Sequence, residues 1–213
     1  MYDKQAMYRE IEAYMQHINF AYNCYEAYIS LFDINERYND VLNLSPGFFT
    51  ITRFSLSKCL LLETAKLFCG SKDERTIQKL IRIVQSNNSA FEHKNAKTLC
   101  DAVYNALANR FANTIDKIKA RRDQDLSHND PLFFYGDKNP AEENYISPSE
   151  IEELLWYVFG FCNELLECLP CDEKVILTHG ANDINNLIEK SFDLYCQKKT
   201  NEGILLSLEE TKT

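Results

Sequence analysis

The chain has 213 residues, of which 45% are hydrophobic and 26% charged, the balance of a soluble globular protein of one domain or one domain with an appendage. That excludes intrinsic disorder for most of its length, and six glycines with five prolines are too few for a turn-rich β-sandwich or barrel. With 23 basic against 32 acidic residues the net charge is −9, which argues against a broad polyanion-binding surface.

The opening residues Met1-Tyr2-Asp3-Lys4-Gln5 lack an apolar run, so no secretory leader is expected. No stretch approaches the roughly 18 apolar residues of a membrane span. A cytoplasmic protein without a membrane partner is therefore expected. In that setting the eight cysteines read as free thiols. Cys168-Leu169-Pro170-Cys171 is the one CxxC, and no second Cys or His pair stands at metal spacing, so no metal site is expected.

The first segment places Tyr8, Ile11, Met15, Ile18, Tyr22, Tyr25, Ile29 and Phe32 at alternating steps of three and four. That heptad seam predicts a long helix packed along its length, against the rest of the chain or against a second copy. Ser45-Pro46 predicts a second helix start, running through Phe48, Ile51, Phe54, Leu62, Ala65 and Phe68 to Gly70. Its stretch Cys59-Leu60-Leu61-Leu62 is apolar all round, as in a deeply buried helix.

Thr76 is a candidate cap for a shorter helix carrying Ile77, Leu80, Ile81 and Val84. A fourth helix is predicted from near Asn95, with Leu99, Val103, Leu107, Phe111, Ile115 and Ile118 on one face. Nothing breaks it before Pro131, so it is expected to reach about His128. A loop from Asn129 to Tyr145 follows, its Leu132-Phe133-Phe134-Tyr135 apolar enough to fold back over the body. Ser147-Pro148-Ser149-Glu150 is a capping box for a helix ended by Pro170. A last amphipathic helix is expected over about Ala181 to Tyr195, and Thr200 to Thr213 reads as a frayed tail. The sum is an all-α bundle of about six helices with a long N-terminal helix, divided as 1–44, 45–199 and a tail, 200–213.

Motifs for dinucleotides, phosphate loops, zinc proteases and serine hydrolases are missing. His17 reads as an edge of the first helix's seam, and His93 and His179 fall near helix starts or loops. His128 differs. Between Arg110 and Arg122 stand five basic residues and one acid, Asp116. Lys and Arg do favour a helix C-terminus, and Asp123, Asp125 and Asp130 offset most of that charge.

On an unbroken helix Arg121 and His128 share a face, and Arg122 and His128 lie about a third of a turn apart. An Arg fork binds phosphate, and a His near a helix C-terminus has its cationic form favoured, which suits a proton donor. Together they are the smallest kit for splitting an RNA phosphodiester without a metal.

The string Arg122-Asp123-Gln124-Asp125-Leu126-Ser127-His128 resembles the Arg, polar residue, spacer, His motif of the HEPN superfamily. Extended to Asn129-Asp130, it resembles the abortive-infection AbiU-type branch, with its Arg-Asp-Lys … Ala-His-x-Asp signature. Gln124 stands for the usual Lys and Ser127 for the usual Ala. The resemblance covers roughly residues 45–195.

It implies an HEPN-like helical bundle that forms a homodimer, with two Arg–His motifs facing across a cleft. It also implies metal-independent RNA cleavage in many members, no cofactor, and a toxin–antitoxin setting with a cognate antitoxin. On that reading Arg122 holds the scissile phosphate, His128 is general acid or base, and Asp123 orients one of them. Arg121, Lys119 and Asn129 contact substrate. The alternative is a non-catalytic binding protein of the same fold, its motif serving as dimer glue.

Overall fold

The computed structural model describes residues 2–32, 39–70, 75–91, 95–126, 140–169 and 181–210. Among these there are nine α-helices and no strand: α1 (Lys4–Phe32), α2 (Asn39–Leu44), α3 (Pro46–Phe68), α4 (Ile77–Ser86), α5 (Asn95–Asn109), α6 (Ala112–Arg121), α7 (Pro140–Glu143), α8 (Pro148–Glu167) and α9 (Ala181–Glu210). A 3-10 turn, Asn88–Ala90, follows α4, and a π-helical turn, Arg122–Leu126, extends α6. The all-α class is as expected, and the count of about six rises for three physical reasons.

The short α2 and α7 lie where no helix was expected. The long fourth helix is also broken, at Arg110–Phe111. There Phe111 takes φ −101° and ψ 0°, and its N–H reaches back to the Ala106 carbonyl at 3.0 Å. Its buried ring lies 5.1 Å from the Tyr157 ring. The Arg110 guanidinium covers both rings, at 4.9 and 5.7 Å, and pairs with Glu153. No glycine or proline marks this break, because an aromatic anchor holds it.

The chain forms two compact units, residues 1–25 with 57–178 and residues 26–56 with 179–213; α1 and α3 contribute to both. In the first unit the α1 seam points inward: Tyr8, Ile11, Met15 and Ile18 are buried. They join Leu60, Leu61, Ala65 and Leu67 of α3, the Ile77, Leu80, Ile81 and Val84 face of α4, and α8. Helix α8 alone buries nine side chains, among them Leu154, Leu155, Val158 and Leu165. Each such aliphatic contributes about 1.5–3 kcal/mol over leaving it in water, so α8 anchors this unit. Here the seam serves the chain's own core.

The second unit has a smaller core. Leu31 and Ile188 are buried, with Phe49, Leu56 and Phe192 packed on them. Arg53 Nε donates to the Leu31 carbonyl at 2.8 Å. The predicted burial of the second helix holds only for its C-terminal half, since Phe48, Ile51 and Phe54 are exposed. The last helix runs past Tyr195 to Glu210.

Two predicted caps are present. The Thr76 hydroxyl accepts from Lys79 N–H. At α8 the Glu150 N–H donates to Ser147 Oγ at 3.2 Å, and Ser147 N–H donates to Glu150 Oε2 at 2.8 Å. The hydrogen bond from the Ser147 backbone, then those from its hydroxyl and from Lys117, outweigh burial and hold the Glu150 carboxyl below its usual range.

A depressed folded-state pKa stabilises above the unfolded value and stops doing so as pH falls through the folded one. Glu150→Gln keeps the reciprocal hydrogen bond but not the charge. Wild type is therefore expected to melt higher than Glu150→Gln at neutral pH, with the gap closing in acid below about pH 4.3. Paired thermal melts across pH check this.

Candidate functional site

The Arg122 turn is built where α6 stops being an α-helix. Arg122 keeps helical geometry, φ −58° and ψ −49°, and its N–H is shared by the Ile118 and Lys119 carbonyls. Beyond it the hydrogen bonds lengthen into the π pattern over Arg122–Leu126. Such a turn widens a helix locally and is frequent at functional sites. It also changes the angular count over these five residues; His128, expected to share a face with Arg121, lies outside the described residues.

The Arg122 side chain ties the π turn to the end of α3. Its Nε donates to Asp123 Oδ1 at 2.7 Å, and its Nη2 lies 2.6 Å from the same oxygen. Its Nη1 donates to the Cys69 carbonyl. Cys69 directly follows the last residue of α3, so this carbonyl belongs to the group that a helix end leaves without an internal partner. Arg122 thus caps α3, where a cation meets the negative end of the helix.

These contacts use three of the guanidinium's five N–H donors. The Arg122 side chain is 27% exposed and that of Asp123 43%, so both reach solvent. Burial pushes the neighbouring Cys69 thiol up to about 11, against the lowering pull of Arg122.

Around this turn the basic residues are largely matched. Lys117 Nζ lies 3.4 Å from Glu150 Oε1, and Arg110 pairs with Glu153. Glu150 and Glu153 are one helical turn apart on α8, so two of the five cations face acids on that helix. Arg121 is half-buried and Lys119 exposed. The positive region is therefore weaker than the sequence count suggests.

The structure brings Arg122 and Asp123 into contact. His128 and Asn129 lie outside the described residues, as do Ser127, Asp130, Leu132–Tyr135, His93, His179 and Cys171. Two further contributors were not read from the sequence. The Cys69 carbonyl is a backbone group and leaves no residue-type signal. Gln124 Oε1 accepts from Asn144 Nδ2 at 3.5 Å, which ties the π turn to the residue after α7. Gln124 occupies the position where the motif usually has Lys, and that departure was the available signal.

His17 sits at the core edge, as expected, with Nε2 2.9 Å from Glu63 Oε2. Cys24, Cys100 and Cys162 are buried thiols. Among the described residues no group of three or more His, Cys, Asp or Glu gathers in a way that could hold a metal ion. None of the described helices is long and apolar enough to cross a membrane.

Comparison with known families matches the HEPN_AbiU2 family model, described as AbiU2, over residues 4–190. The matched stretch takes in α1 as well as the bundle that follows it. No curated protein and no solved structure matched the chain. A match across most of the chain, joined to an all-helical fold among the described residues and an Arg122–Asp123 pair at the end of α6, leads to one assignment: the chain belongs to the AbiU2 family of the HEPN superfamily.

Proposed function

We propose that the protein is a metal-independent endoribonuclease of the HEPN type that works in an abortive-infection or toxin–antitoxin setting in the cytoplasm. The observation that carries this reading is the Arg122–Asp123 pair, anchored on the Cys69 carbonyl. A guanidinium fixed in this way is pre-positioned for a phosphate and loses little freedom on binding it.

In this reading the RNA 2′-OH attacks the adjacent phosphorus. His128 takes the hydroxyl proton or delivers one to the departing 5′-oxygen. Arg122 stabilises the charge building on the phosphorane. Asp123 orients Arg122, Arg121 is a second phosphate contact, and Lys119 and Asn129 hold the strand. The working form is a homodimer with two motifs across one cleft, and the partners are RNA and a cognate antitoxin. Light scattering should return twice the chain mass.

The test is an RNA with a single 2′-deoxy residue at a mapped cut. The attack needs the 2′-OH, so that position is expected to resist while neighbouring all-ribose sites are cut. Equal cleavage of the deoxy position contradicts the reading.

One observation favours a second reading, a non-catalytic binding protein of the same fold. Three of Arg122's donors already serve Asp123 and the end of α3, so the residue has a structural task whether or not it meets RNA. The Arg122 variants discussed below separate the two.

A further inference from the structure

Cys24 on α1 and Cys59 on α3 place their sulfurs 3.5 Å apart, in hydrogen-bond contact. Both residues belong to the first compact unit, close to where each helix leaves it at Tyr25 and Ser57. The two thiols differ in access. Cys24 is 7% exposed, whereas Cys59 is half-buried. Burial, then the hydrogen bond with Cys59, pushes the Cys24 thiol up to about 12.

We propose that Cys24 and Cys59 are a redox-modification site, converted by a hydroperoxide into a disulfide that joins α1 to α3. The order of events follows from access. Cys59 sulfur attacks the peroxide, the O–O bond breaks, and Cys59 becomes a sulfenic acid with release of water or alcohol. The Cys24 sulfur then attacks the Cys59 sulfur, and the S–OH bond breaks. The S–S bond forms as a second water carries away the hydroxyl and the Cys24 proton.

Burial makes Cys24 a poor first target and a slow thiolate. Its fixed position against Cys59 offsets this, because a held pair reacts as a single molecule. Bond formation needs the sulfurs to close by about 1.5 Å, from 3.5 Å to the disulfide length of about 2.05 Å. The resulting link closes the loop between α1 and α3 and restricts the unfolded chain.

The experiment uses the full-length protein, reduced, freed of reductant and exposed to hydrogen peroxide. Remaining thiols are blocked with N-ethylmaleimide, and the protein is digested with trypsin without reduction. The expected product is the Glu10–Arg37 peptide joined to the Cys59–Lys66 peptide and released by dithiothreitol. The oxidised protein should melt roughly 4–10 °C above the reduced form.

In Cys24→Ser, Cys59 should stop at the sulfenic acid and be trapped by dimedone. The proposal is overturned if both wild-type peptides are recovered as N-ethylmaleimide adducts after other thiols have oxidised. It is equally overturned if wild-type Cys59 accumulates as its dimedone adduct with no cross-linked peptide. The wild-type peptide map decides the matter even if Cys24→Ser folds poorly.

Discussion

His128→Ala is expected to lower RNA cleavage by roughly 10²–10⁴-fold, the range for loss of a positioned acid or base. The proton has to leave the 2′-OH and another has to reach the 5′-oxygen. A free imidazole has a pKa of about 6.5, so it can do either near neutrality. His128→Gln is expected to be as inactive as the alanine variant, since an amide offers hydrogen bonds but no proton transfer. Rates measured on one labelled RNA, beside circular dichroism of each variant, check this. Activity retained by His128→Ala would mean that another group moves the proton.

Arg122→Ala carries two expected effects. Removing the guanidinium leaves the Cys69 carbonyl and Asp123 without the partner shown here. Loss of a hydrogen bond to a charged group costs about 1.5–3 kcal/mol, so the melting temperature should fall by roughly 3–10 °C. Cleavage should also fall by roughly 10²–10³-fold at temperatures where the variant remains folded, because the phosphorane loses a stabilising donor.

Arg122→Lys should recover part of each, since an ammonium can meet Asp123 or the Cys69 carbonyl but cannot reproduce the planar fork. In the binding-protein reading only the melting effect remains. Rates scaled to the folded fraction therefore separate the structural task of Arg122 from a catalytic one.

Much of the fold was legible because its signals are local. The three-and-four spacing of Tyr8, Ile11, Met15 and Ile18 marks the buried face of α1. Ser147 and Glu150 write the start of α8 into four residues. The break at Phe111 was not legible, because it depends on the Tyr157 ring, 46 residues further along the chain. The exposure of Phe48, Ile51 and Phe54 was missed for a related reason: hydrophobicity gives the side chains that can be buried, not which of them the fold covers.

At the site, Arg122 and Asp123 were found by motif. The capping of α3 by Arg122 was not, because its acceptor is a backbone carbonyl 53 residues away. The π turn was not legible either. Its five residues, Arg122–Leu126, carry no proline or glycine.

The most direct measurement is mass spectrometry of the products that wild-type protein forms from RNA in excess chelator. The account predicts that cleavage persists and that the upstream fragments end in a 2′,3′-cyclic phosphate, the product required when the 2′-oxygen attacks phosphorus. Loss of cleavage in chelator, or upstream fragments ending only in a free 3′-hydroxyl, would contradict it.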